Sequence, residues 1–313
     1  MSGVGVVFNP AAGRHRRDAL LARALLSQAA RDVLVRETET PSQLHDALVD
    51  FRDAGVSAVA LSGGDGTAGR VASAMERVYG AQLPPMLLLR GGTMNTTANA
   101  VGVSRRAPGE LLSRLVARAR AGRPLVTTPR GTMRVGDRLG FLFGVGVVAG
   151  YLRAYYAAGA RGPVSGAEVL VRGVASALVR GAYIEAMAER VRCAVSFDAG
   201  AVSWPVREYL SIAAGTIDQI GLGFRPFARA AEDPARFHLL GIHTTPLGFA
   251  RELPRIWAAR AMHPTRADER LSDRASLRFE REGVGYMLDG DLEVTPGDTL
   301  VVQSGPVISM VVV

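Results

Sequence analysis

The run Ser62-Gly63-Gly64-Asp65-Gly66-Thr67 follows directly on the apolar stretch 56–61. A short apolar run that ends at glycines reads as a buried strand. Its end is a turn in which glycines surround one carboxylate, and a helical stretch follows from residue 68. Glycines free the backbone to take positive φ and let a bulky anion reach the amides. A helix starting there aims its positive end at the same anion. Asp65 would repel a phosphate unless a divalent cation stood between them, so the loop predicts a metal-bridged polyphosphate.

Around this loop, residues 3–125 alternate between strand-like and helix-like segments. Strands are expected at 3–8, 33–36, 56–61 and 86–89, and helices at 14–30, 42–53, 68–78, 93–100 and 109–121, with Ser42 as an N-cap. The alternation predicts an α/β domain whose parallel sheet carries helices on both faces. Ligands of such sheets bind off the carboxyl ends of the strands. Three loops leave those ends, at 9–13, 62–67 and 90–95. In the first, Asn9, Pro10 and Gly13 suit a phosphate or ribose contact, and equally an ordinary turn. In the third, Gly91-Gly92-Thr93-Met94-Asn95, Thr93 suits a helix cap or a phosphate ligand. The chain has only three asparagines, and two of them, Asn9 and Asn95, sit at these loop tips.

After Gly122-Arg123-Pro124 the pattern turns β-like, interrupted by helical stretches near 165–180 and 247–261. This predicts a largely antiparallel sandwich or barrel. The expected division is an α/β domain over 1–125 and a β-rich domain over 126–313. Within the second, Asp289-Gly290 lies between apolar alternations, as a hairpin turn would.

Composition excludes several classes. The 37 basic residues are all arginine, so neither a Walker-A loop nor a protein-kinase site, each of which needs a lysine, is encoded here. A formal net charge of +8 favours an anionic partner, a nucleotide or an anionic membrane surface. The arginines lack interleaved aromatics, which argues against nucleic acid. Arg114, Arg118, Arg120 and Arg123 read as a solvated helix face rather than a lipid site. The single cysteine, Cys193, excludes an intrachain disulfide, and the five histidines have no zinc-like spacing. No stretch reaches the ~18–20 apolar residues of a membrane span, and residues 1–8 are expected to enter a strand rather than to act as a secretory signal. A cytoplasmic protein touching membranes peripherally is expected. Strand edges in the second domain leave a homodimer open.

Taken in order, these motifs resemble the diacylglycerol kinase catalytic-domain family, which includes bacterial lipid kinases, sphingosine kinases and ceramide kinases. The resemblance rests on residues 9–13, Gly63-Gly64-Asp65-Gly66-Thr67, Gly92-Thr93-Met94-Asn95, Phe143-Gly144-Val145-Gly146 and Asp289-Gly290-Asp291, and covers essentially the whole chain. It implies an NAD kinase/diacylglycerol kinase-like α/β domain followed by a β-sandwich. It implies ATP-dependent phosphorylation of a diacylglycerol-like lipid hydroxyl in the cleft between them. Nucleotide binding would fall to Asn9, Pro10, Gly13, Gly63, Gly64, Asp65, Gly66, Thr67, Gly92, Thr93, Asn95 and Asp291. Magnesium would sit at Asp65, with a structural metal at Asp233. Catalysis would fall to Asp65 and to Asp289, the latter as general base or orienting group for the hydroxyl. Without lysine, arginine joins the metal in neutralising phosphate, and Arg14 and Arg90 flank the loops. Arg70 stands where the family usually has glutamate, Thr96 where many members have aspartate, and Asp291 where glutamate is usual. The glycine that usually follows the aspartate corresponding to Asp233 is replaced by Pro234. A kinase of a non-lipid alcohol and a nucleotide-binding protein without catalysis are the alternatives left open.

Overall fold

The computed structural model describes residues 3–12, 33–92, 94–159, 162–197 and 200–312. The helix expected at 14–30 lies outside them. In the first sheet β1 (Val4–Phe8) lies between β2 (Val33–Glu37) and β3 (Ala58–Ser62), and β4 (Met86–Leu88) follows β3, all parallel. β1 and β3 are buried along their whole length, which is why they read as unbroken apolar runs. The described helices of this unit are α1 (Pro41–Asp53), α2 (Asp65–Tyr79), α3 (Thr96–Ala100) and α4 (Pro108–Arg120). Phe51 of α1 is fully buried and packs onto Gly5, where an added Cβ would lie 2.5 Å from the ring. The glycine lets the helix sit close on β1.

Two helix starts differ from expectation. Thr40 rather than Ser42 caps α1: its hydroxyl accepts from the Gln43 backbone amide, and the Gln43 side-chain Oε1 accepts from the Thr40 backbone amide. Pro41 then fills the first helical position, where no N–H is needed. α2 begins at Asp65, not at residue 68. Gly64 is its N-cap, so Asp65, Gly66 and Thr67 form the first turn, and the carboxylate sits at the positive end of the helix dipole.

The far edge of the sheet comes from elsewhere in the chain. β18 (Ile308–Val311) pairs parallel with β4, and β5 (Thr127–Arg130) pairs antiparallel with β18. Residues 307–313 read as another strand of the sandwich, because β-propensity places a segment in a sheet without choosing the sheet. The chain therefore forms one compact unit that runs to Arg130 and resumes at Pro306, and a second over Gly131–Gly305.

The second unit is a sandwich of two six-stranded antiparallel sheets. One contains β6 (Met133–Val135), β7 (Arg138–Gly140), β9 (Val191–Phe197), β10 (Val202–Tyr209), β14 (Arg274–Phe279) and β17 (Thr299–Ser304), in the order β10-β9-β14-β17-β6-β7. The other contains β8 (Leu142–Gly146), β11 (Ser211–Gly215), β12 (Phe237–Ile242), β13 (Ala267–Ser272), β15 (Gly285–Leu288) and β16 (Asp291–Val294), in the order β13-β12-β11-β8-β15-β16. Phe143, Val145, Phe197, Ile212, Phe237 and Leu277 belong to its buried core. Helices α5 (Val147–Ala157), α6 (Pro163–Leu178), α7 (Ala182–Met187) and α8 (Pro246–Trp257) complete the unit, with α5 lying on β8, β11, β15 and β16. The sequence pattern points to α6 and α8 but not to α5, whose valines and tyrosines favour strand and yield to packing. Among the described residues no helix is long and apolar enough to cross a membrane.

His238 on β12 is buried, and neither ring nitrogen has a hydrogen-bond partner. The Glu269 carboxylate stands 3.6 Å from Nε2, beyond hydrogen-bond reach. Burial, helped by the Arg229 charge, pushes the His238 pKa down from 6.5 to about 4. The unfolded chain takes up this proton near its ordinary value and the folded chain does not. Stability from this site is therefore full above about pH 6.5 and is lost as pH falls toward the folded value. The urea midpoint is expected to drop between about pH 7 and about pH 5, and His238→Leu to flatten that drop. An equal slope in both proteins would show that His238 stays uncoupled from folding.

Candidate functional site

Because β1, β3 and β4 run parallel in neighbouring positions, the loops after Phe8, Ser62 and Leu88 leave one edge of the sheet together. Side chains knit them. The Asn9 amide donates to the Ser62 carbonyl at 3.0 Å, and its side-chain Nδ2 donates to Thr67 Oγ1 at 3.1 Å. Asn9 Oδ1 accepts from the Ala11 amide at 2.9 Å, closing a turn over Pro10. The second and third loops touch backbone to backbone: a Cβ on Gly92 would lie 2.5 Å from the Gly64 Cα. A Cβ on Gly63 would meet the Thr67 side chain at 2.8 Å. Gly92 is thus required by the approach of the two loops, and Gly63 by Thr67 within its own loop.

Asp65 makes the firmest link. Its Oδ1 accepts from the Thr97 amide at 2.8 Å and its Oδ2 from the Thr96 amide at 3.0 Å. α3 has no side-chain cap of its own, because Asn95 before it is left-handed at φ 51° and turns its amide back on Gly92. Asp65 therefore caps α3 from across the site while lying in the first turn of α2. Thr96 enters this link through its backbone, so the link does not depend on its side chain.

Arg90, left-handed at φ 55°, donates to Asn99 Oδ1 at 2.5 Å and to the Val103 carbonyl at 3.2 Å. Its guanidinium braces the third loop against α3 and the chain beyond. The third asparagine of the chain thus joins the same network as the two at the loop tips, a role that spacing alone does not reveal. Arg70 is exposed on α2. Gly13, Arg14 and Thr93 lie outside the described residues. Gly64, Asp65, Gly66 and Thr67 are half-buried at the N-terminus of a 15-residue helix, an arrangement suited to an anion.

A magnesium ion carried by a nucleotide needs only one or two protein carboxylates, the phosphates and water completing its shell. Each Asp65 oxygen takes one amide and keeps further acceptor capacity, so its chemistry fits such an ion. Asp233 is differently placed. Its Oδ1 accepts from the Ala235 amide at 2.9 Å, and its Oδ2 pairs with Arg236 at 3.4 Å. Among the described residues no group of three His, Cys, Asp or Glu side chains is placed to hold a metal ion.

In the second unit Asp289 and Gly290, at φ 49° and 92°, form the two-residue turn between β15 and β16. The turn also buries a carboxylate: Asp289 is 4% exposed, and its Oδ1 accepts from the Phe141 and Leu142 amides, both at 2.8 Å. Its own amide donates to the Leu142 carbonyl, so Asp289 clamps the start of β8 from two sides. Tyr156 Oη of α5 donates to the Gly290 carbonyl at 2.5 Å. Asp291 pairs with Arg138 Nη2 at 2.7 Å, and Glu293 pairs with the same guanidinium, so Arg138 on β7 joins the edge strands of the two sheets. Arg138 and Tyr156 had no signal in the sequence, since they lie far from their partners along the chain. Six non-glycine residues among those described have positive φ, and Arg90, Asn95 and Asp289 are three of them. Such conformations concentrate at functional positions.

Residues 3–124 match the family model of the diacylglycerol kinase catalytic domain. No curated protein matches the sequence. A solved structure of a diacylglycerol kinase from Bacillus anthracis strain Sterne superposes with a TM-score of 0.67 at 14% identity, covering 100% of this chain and 97% of that one. A second structure from the same strain, described as that of a putative diacylglycerol kinase, gives a TM-score of 0.71 at 15% identity with the same coverage. At such identities the likeness is one of fold. Residues 3–124 therefore resemble the diacylglycerol kinase catalytic domain, and the chain as a whole shares the fold of these bacterial proteins.

Proposed function

We propose that the protein is a kinase that transfers the γ-phosphoryl group of ATP to the hydroxyl of a diacylglycerol-like lipid. The observation that carries this reading is the Asp65 bridge to the Thr96 and Thr97 amides, which ties the second loop to the third at one sheet edge, where Asn9 draws in the first. It lies inside the segment that matches the kinase domain model. Phosphoryl transfer asks a protein mainly for positioning and charge neutralisation.

In this reading Asn9, Gly63, Gly64, Gly66, Thr67, Gly92 and Asn95 shape the nucleotide site, and the α2 N-terminus offers its amides to the phosphates. Asp65 holds magnesium, which when bound supplies the positive charge that the missing lysine does not. Asp289 orients the lipid hydroxyl and takes its proton as the oxygen bonds to the γ-phosphorus and the bond to ADP breaks. Two backbone amides anchor Oδ1 of that carboxylate, which supports its role as a positioned base. Asp291 is engaged with Arg138, so its part in nucleotide binding runs through that pair.

Labelled γ-phosphate is expected to pass from ATP to a component of a total lipid extract, with magnesium and not with chelator. Asp289→Asn is expected to lower the rate by about 100-fold or more if it is the base. Labelling of a soluble alcohol in preference to every lipid would replace the acceptor class, and nucleotide binding without any turnover would remove catalysis. A second outcome concerns Asp65→Asn. Nucleotide affinity in magnesium should fall by about tenfold or more, the cost of weakening a charged hydrogen-bonded group, and should fall less in chelator. Equal loss under both conditions would assign Asp65 to loop support alone.

A further inference from the structure

The motif Phe143-Gly144-Val145-Gly146 takes no part in the chemistry described above, yet both of its glycines are forced by their surroundings. Gly146 ends β8 at φ 72° and ψ −131°, a conformation that glycine alone takes readily, and a Cβ there would lie 2.4 Å from the Leu210 carbonyl oxygen. The chain reverses at this point, and α5 starts at Val147. Gly144 gives the helix room, since a Cβ on it would lie 2.6 Å from the Val148 side chain. α5 therefore returns over the sheet toward the end where β8 began. The ten steps of helix from Gly146 to Tyr156 rise about 15 Å. The four strand steps from Leu142 to Gly146 span about 13 Å. The last turn of α5 thus comes level with the start of β8.

Both ends of this segment meet the Asp289-Gly290 turn. The start of β8 supplies the Phe141 and Leu142 amides to Asp289 Oδ1. The last turn of α5 supplies Tyr156, whose Oη donates to the Gly290 carbonyl at 2.5 Å. One continuous stretch, 141–156, grips both residues of the turn. The phenol is itself held in place. The Tyr156 carbonyl accepts from the Gly159 amide at 2.9 Å, which closes the helix end. Its ring leans on that of Tyr155, with centroids 5.6 Å apart, and Tyr155 Oη accepts from the Gly162 amide at 3.2 Å. Tyr156 is 47% exposed, and a half-exposed phenol bonded to one carbonyl adds little to folding. The turn it holds, however, keeps Asp289 at φ 49°, a conformation that persists only where the surroundings over-determine it.

We infer that Tyr156 is a positioning residue: its hydroxyl fixes the Gly290 peptide and through it aims the Asp289 carboxylate. The inference rests on the kinase reading, in which Asp289 takes the proton of the acceptor hydroxyl. Tyr156 bonds a backbone carbonyl and not the carboxylate. It therefore sets geometry and leaves the ionisation of the base alone. Small misplacements of a reacting group are costly in rate, which gives a solvent-facing hydroxyl its use here.

The test is steady-state kinetics of the full chain and of Tyr156→Phe, with ATP, magnesium and a dispersed short-chain diacylglycerol, beside amide hydrogen exchange of both proteins. The variant keeps the ring and loses one hydroxyl, so its melting temperature should match the parent's. A kcat about tenfold lower is expected, with KM for ATP and for the acceptor unchanged. The pH midpoint of activity should stay where it is, and exchange should quicken in peptides covering 285–294. Quicker exchange with an intact kcat would show support of the turn alone and overturn the inference. So would a loss confined to KM, or a shifted pH midpoint, which would place the phenol on the reacting proton itself. If the parent transfers no phosphate, the kinase reading fails and takes the inference with it. An active parent with an equally active variant removes the inference alone.

Discussion

The carboxylate of Asp65 holds the first unit's site together. It sits in the first turn of α2 and accepts the two leading amides of α3, so a single side chain meets the positive ends of two helices. Charge-assisted bonds of this type are worth about 1.5–3 kcal/mol each, against roughly 1 for a neutral pair. Closing this link brings the second loop onto the third, so closely that a Cβ on Gly92 would clash with the Gly64 backbone. Asn9 then draws the first loop in through Thr67. The loops are arranged before any ligand arrives, and the ordering cost of binding is correspondingly small.

A comparable economy governs the second unit. The Asp-Gly pair makes the hairpin between β15 and β16, and the aspartate of that hairpin turns inward to bind two amides at the start of β8. An aspartate tolerates positive φ better than most residues, so the turn and the buried carboxylate are compatible in one position. Arg138 adds a link between the outer strands of the two sheets, carrying Asp291 and Glu293 on one guanidinium. The hairpin turn and the buried carboxylate are therefore carried by the same residue.

The sequence disclosed the alternation of strands and helices in the first unit, the β-rich character of the second, the three loops and the Asp-Gly turn. These are local properties: apolar runs of strand length, glycines where the chain must turn, and caps within a few residues. Even there, starts shifted. Thr40 displaced Ser42 as the cap of α1 because the reciprocal bond with Gln43 satisfies two amides rather than one, and Gly64 let α2 begin at Asp65 itself.

Tertiary structure decided what depends on partners distant in sequence. It brought Ile308–Val311 into the first sheet beside β4, a choice that strand propensity does not make. It gave Asp65 its partners 31 and 32 residues away, and Asp291 an arginine 153 residues away. It turned 147–157 into a helix by packing it on a sheet. Local chemistry sets what each segment is able to become. Which segments meet is settled by burial across the whole chain, because only the assembled core tells one apolar face from another.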